Sequence, residues 1–140
     1  MEIRSAADPE GTVRTLHVAD TGPVLAAAGA EIVGTIVAVH GNPTWSWLWR
    51  SLLAETVRRA RRGMAAWRVV APDQLDMGFS ERTGLFRRYD DRIQDLSDLT
   101  AEIGLDDERV VTLAHDWGGL VSMGWAELHP KAHAATIMTN

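Results

Sequence analysis

The chain has 140 residues, 46% of them hydrophobic and 24% charged, with a formal charge of −5 at pH 7, which bounds it to one globular domain with an ordinary core. That acidic balance argues against nucleic acid as a partner, because neutralising phosphates takes Lys and Arg clustered on one face. Cysteine is absent, so disulfides, thiolate metal sites and thiol nucleophiles are excluded; a cytoplasmic location is expected, and no apolar run is long enough for a membrane span.

Met1 to Gly22 reads as a hairpin, with Asp8-Pro9-Glu10-Gly11 as a turn ahead of alternating β-formers over Thr12 to Val18. Pro23 to Glu31, rich in Ala and Gly, reads as a loop. It leads into a first central strand, Ile32 to Val39, whose Ile, Val and Ala content suits burial on both faces. His40-Gly41-Asn42-Pro43 breaks that strand. A helix is expected from Thr44 or Trp45 to a stop at Gly63, with Trp45, Leu48, Trp49, Leu52, Leu53, Val57 and Ala60 at helical spacing. Arg58, Arg59, Arg61 and Arg62 fall in its last turn, where cations favour the negative end of the dipole.

Trp67 to Ala71 is read as a second parallel strand and Pro72 to Ser80 as a loop. Asp91 to Gly104 is an amphipathic helix with Ile93, Leu96, Leu99 and Ile103 on one side. A strand over Arg109 to Ala114, a helix from about Trp117 to Leu128 and a strand over Ala134 to Thr139 complete the order. Short apolar strands alternating with helices predict an α/β fold, a mainly parallel sheet with helices on both faces, in which ligands bind beyond the carboxyl ends of the strands.

Asp116 stands out against this background, since an ionised carboxylate at the tip of a buried strand is costly unless backbone N–H groups receive it. His115-Asp116-Trp117-Gly118-Gly119 has the form of a nucleophile elbow carrying a carboxylate, with the glycines leaving room for a tight strand-to-helix turn. The five histidines fall at positions suited to structural or solvated roles, and no His and carboxylate spacing forms a metal site. No cofactor is implied.

Three motifs stand in order: His40-Gly41-Asn42-Pro43-Thr44-Trp45-Ser46, then Ala71-Pro72-Asp73 with Met77-Gly78-Phe79-Ser80, then Ala114-His115-Asp116-Trp117-Gly118-Gly119. Together they resemble the α/β-hydrolase superfamily, in the branch with an Asp nucleophile that holds haloalkane dehalogenases, epoxide hydrolases and the β-lactone decarboxylases of long-chain olefin biosynthesis. Ala114 stands where many relatives have Gly, and Asp76 where Gly is usual.

The resemblance implies that Asp116 is the nucleophile and that the backbone N–H groups of Asn42 and Trp117 are the oxyanion donors. In the dehalogenase branch, the Asn42 amide and the Trp117 indole would also hold the leaving group. It further implies that residues 1–140 are the N-terminal portion of a single α/β-hydrolase domain, truncated after about the sixth strand. The cap domain, the catalytic His and its acid would then lie outside them. A small hydrophobic substrate is expected, with a fused or associated adenylating enzyme as the further partner. Within the branch the motifs look most like a β-lactone decarboxylase, with haloalkane dehalogenase or epoxide hydrolase as the alternative. A reading of another class is a catalytically incompetent fragment without a His base.

Overall fold

A computed structural model describes residues 1–140. Its main sheet has five strands in the order β3-β5-β4-β6-β7, comprising β3 (Val18–Asp20), β4 (Ile32–Val39), β5 (Ala66–Pro72), β6 (Val110–His115) and β7 (His133–Thr139). β5, β4, β6 and β7 run parallel, as the alternation of elements predicts, and only β3 is antiparallel, at one edge. At the other edge lies β7, with Ile137 and Met138 exposed.

Period-two alternation in β4 sorts the core into two layers. Val37 and Val39 face Leu96 and Leu99 of α3 (Tyr89–Glu102) and Val121 and Trp125 of α4 (Gly118–Leu128). Ala38, with Ile36, faces the other way, onto Trp49 and onto Leu52 and Leu53 of α2 (Arg50–Arg61). Trp125 is fully buried and its indole N–H donates to Thr100 Oγ1 at 2.8 Å, which gives a large core side chain a partner for its one polar atom.

Three readings of the sequence need correction. Thr12 to Val18 is not one strand of a hairpin: β2 (Val13–Thr15) pairs with β1 (Glu2–Arg4) in a separate two-stranded sheet, and β3 joins the main one. Leu16, buried in the core between them, is where the chain changes sheets. Pro23 to Glu31 is not all loop, since α1 covers Gly22–Ala27. Pro23 stands in its first turn, where a missing N–H costs nothing, and Leu25 packs against Ala60 and Ala66. One apolar anchor in six residues leaves no period to detect. The helix expected from Thr44 or Trp45, α2, begins only at Arg50, because Ser46–Trp49 form a 3₁₀ turn that buries Trp49 and leaves Trp45 and Trp47 exposed.

The small N-terminal sheet is fastened to the body by buried charge. Arg87 donates to Asp95 through Nε and Nη2 at 2.9 and 2.7 Å and to Asp8 through Nη2 at 2.9 Å, while Arg14 joins Asp8 to Glu81. These hydrogen bonds from Arg14 and Arg87 hold the Asp8 carboxyl well below the usual carboxylate range, whereas burial pushes Asp95 up to about 6 despite Arg87. Removing the shared cation leaves the buried Asp95 carboxylate with Ser5 alone and Asp8 with Arg14 alone. Arg87→Met is therefore expected to lower stability by about 3–5 kcal/mol. Urea denaturation checks the loss, and amide exchange should show residues 1–15 losing protection first.

Candidate active site

Val39 lies opposite Ala114 in the parallel pairing of β4 and β6, so both strands end at one level and the segments beyond them meet. A Cβ on Gly41 would fall 2.4 Å from Asp116 Oδ1 and 2.7 Å from the His115 carbonyl oxygen. On Gly118 it would fall 2.2 Å from the Val39 carbonyl oxygen. Glycine at both places lets the loop after β4, the end of β6 and the start of α4 close to backbone contact.

Asp116 occupies the turn itself, with φ of 53°, a left-handed conformation that Asp tolerates better than most residues. The Gly119 N–H donates to the Asp116 carbonyl at 2.9 Å and closes the turn. Its carboxylate is exposed, and the Asn42 backbone N–H donates to Oδ1 at 3.0 Å. The Trp117 N–H, at the first turn of α4, and then the Asn42 N–H hold this carboxyl below its ordinary range. The structure thus brings together Asp116, Asn42 and Trp117, the three positions singled out from sequence. The Asn42 side-chain amide and the Trp117 indole make no hydrogen bond within the chain, and both residues are exposed.

Two buried polar groups, given no such role by their sequence context, hold this arrangement. His40 is fully buried, and the Gln74 backbone N–H donates to its Nε2 at 2.9 Å. Nε2 is then the acceptor, so Nδ1 carries the proton and donates to the Gly41 carbonyl at 2.8 Å. Burial pushes the imidazole below its usual value, which keeps it neutral in this role. Asp73 is also fully buried. Its carboxylate accepts from the Ser46 and Phe79 N–H groups at 2.6 and 2.8 Å and lies 3.1 Å from His17 Nδ1. Gly78 must lack a Cβ to admit it, since that atom would sit 2.2 Å from Oδ2.

The remaining histidines are occupied elsewhere. His129 stacks on Trp125 and pairs with Ser97 Oγ, and His133 Nε2 is 3.0 Å from Thr136 Oγ1. His115 Nδ1 is buried without a partner, and no histidine bonds the Asp116 carboxylate. Beside Trp117 an open groove of about 510 Å³ runs along the start of α3, where the Tyr89 and Trp117 rings lie 5.2 Å apart. No helix is long and apolar enough to cross a membrane.

Residues 34–140 match the family described as alpha/beta hydrolase fold. A cis-3-alkyl-4-alkyloxetan-2-one decarboxylase of Xanthomonas campestris is 34% identical over 114 residues, covering 75% of this chain and 35% of its own. Haloalkane dehalogenase 2 of Mycobacterium bovis is 37% identical over 92 residues, 65% of this chain and 29% of its own. The chain thus spans about a third of the length of these curated relatives. Among solved structures, a thermophilic esterase from Thermogutta terrifontis superposes with a TM-score of 0.77 over 99% of this chain and 44% of its own, at 21% identity, a likeness of fold.

The geometry at Asp116 makes a spectroscopic prediction. In an NMR pH titration the Asn42 and Trp117 amide resonances should move together, with a midpoint below the ordinary carboxylate value of about 3.9. Gly41→Ala forces the loop away from the carboxylate, so its midpoint should shift up toward that value.

Proposed function

The chain belongs to the alpha/beta hydrolase fold family, and from that membership we propose that Asp116 is the nucleophile of an enzyme that forms a covalent ester, acting on a β-lactone. One observation carries the reading: a carboxylate held in a left-handed strand-to-helix turn with the Asn42 N–H already on Oδ1 at 3.0 Å. In a serine elbow the oxyanion develops on the substrate; where Asp is the nucleophile and water attacks its ester, it develops on the aspartate's own oxygen. A donor on Oδ1 before reaction holds the carboxylate in its charged, attacking form and receives the charge again when the carboxylate leaves; the same donor would serve the oxyanion only in the hydrolytic reading below. The reading takes residues 1–140 as the N-terminal portion of a single α/β-hydrolase domain.

A carboxylate suits attack on an electrophilic sp³ carbon. An Asp116 oxygen bonds to the ring carbon, the ring C–O bond breaks, and its electron pair leaves on a carboxylate still tethered to the adjacent carbon. Loss of CO₂ from that carboxylate turns the C–C pair into the alkene, breaks the bond to Asp116 and returns its charge, with no water consumed. The oxetan-2-one named in the Xanthomonas relative is a β-lactone, which supports this substrate class. Haloalkane dehalogenation is the second reading, supported by the Mycobacterium relative and by the exposed Asn42 amide and Trp117 indole N–H, which would receive a halide under it. A small hydrophobic substrate fits either reading, and an adenylating enzyme is a partner only under the first.

Electrophile trapping separates the readings. A dialkyl β-lactone should give alkene and CO₂, whereas a haloalkane should leave an alkyl adduct on Asp116 visible by mass spectrometry. Hydrolysis of that adduct needs a general base, worth about 10²–10⁴ in rate, and His40 is committed to Gly41 and Gln74, so the adduct should persist at one per chain. Asp116→Asn should abolish both outcomes; product from that variant would sink the assignment.

The pH dependence follows from the lowered carboxyl. The charged, nucleophilic form persists as pH falls through the ordinary carboxylate value of about 3.9. Adduct formation should therefore stay level from neutral pH to about 4 and fall only below it, as single-turnover rates at stepped pH will show.

A further inference from the structure

Arg92 is a buried arginine that makes no salt bridge. Its Nη1 donates to the Leu75 carbonyl at 3.1 Å and reaches Gln74 Oε1 at 3.5 Å, while Nε is buried with no partner at all. Each carboxylate around it is bound to another group. Asp95 takes Arg87 and Ser5, Asp76 takes the Thr83 N–H and hydroxyl, and Asp91 takes the Arg88 N–H. Withdrawing a guanidinium from water costs several kcal/mol unless a partner compensates it, and here two neutral oxygens are all it has. Burial accordingly pushes its pKa below the usual arginine range.

Arg92 is one of the residues that line the groove beside Trp117. Tyr89 lies one helical turn before it on α3, and Leu85 and Phe86 also line the groove, Phe86 with 89% of its surface exposed. Arg88 and Asp90, at the rim, are exposed and opposite in sign. The groove therefore joins one under-paired cation at depth to a cluster of uncovered large apolar side chains. We infer that it binds a carboxylate carrying an aliphatic chain, the head on the Arg92 guanidinium and the chain along Leu85, Phe86, Tyr89 and Trp117. The fork of the guanidinium matches a carboxylate, and burial strengthens the pair that forms.

Calorimetric titration of the 140-residue chain with sodium decanoate, below its micellar concentration, tests this without any turnover, so its outcome is separate from that of the chemistry at Asp116. Decanoate should bind, and decan-1-ol and sodium acetate should each bind at least about tenfold more weakly, since each lacks one half of the ligand. Arg92→Met should weaken decanoate about 10- to 100-fold, the factor of one charge-assisted hydrogen-bonded pair. Phe86→Asp, a change on an exposed side chain that the fold does not need, should weaken it as well by placing a like charge in the wall. No binding by the unaltered chain, equal binding of the alcohol, or decanoate affinity unmoved by either substitution would overturn the proposal.

Discussion

The arrangement at the top of the sheet depends on backbone reaching backbone. Gly41 and Gly118 leave no side chain between the loop after β4, the end of β6 and the first turn of α4, and only that closeness puts the Asn42 N–H on Asp116 Oδ1. The carboxylate is exposed, so its lowered pKa comes from aimed donors and not from a buried ion pair. Were the loop farther out, the carboxylate would keep the Trp117 N–H and lose that of Asn42.

What keeps the loop in is a set of buried polar groups two strands deep. His40 takes the Gln74 N–H and gives its proton to Gly41, and so links the end of β4 to the segment after β5. Asp73 draws Ser46 and Phe79 onto the same level and sits against His17 from the edge of β3. Each polar atom that these residues bury is matched by a partner, the condition under which a buried network rigidifies a site instead of destabilising it. His40, at the end of β4, is thus a brace with both nitrogens engaged.

The parallel strands were legible because each is a short apolar run bounded by Gly, Pro or charge, and Asp116 because a charge at the end of such a run has few structural uses. Asn42 and Trp117 followed from the resemblance of their motifs to the α/β-hydrolase superfamily. α1 was not legible, since six residues with one buried side chain carry no period, nor was the division at Leu16, where a strand pattern continues while its partner strand changes. The roles of Gln74, Asp73 and Arg92 were hidden for another reason. Each depends on contacts between segments 18 to 34 residues apart or on the lack of them, which spacing along the chain does not encode.

Charge near the site is distributed unevenly, and this bears on what kind of molecule it can accept. Asp116 presents a localised negative charge at the mouth, which repels an anion approaching directly. Arg92 lines the groove beside Trp117, where the neighbouring carboxylates are already occupied by Thr83, Arg87 and the Arg88 N–H. On the proposed reading a neutral, strained substrate can reach Asp116 unopposed, while a carboxylate carrying an apolar chain finds its favourable place in the groove that Trp117 and Arg92 both line. Under the β-lactone reading, ring opening converts the first kind of molecule into the second, and the two regions would then be complementary to successive states of one substrate.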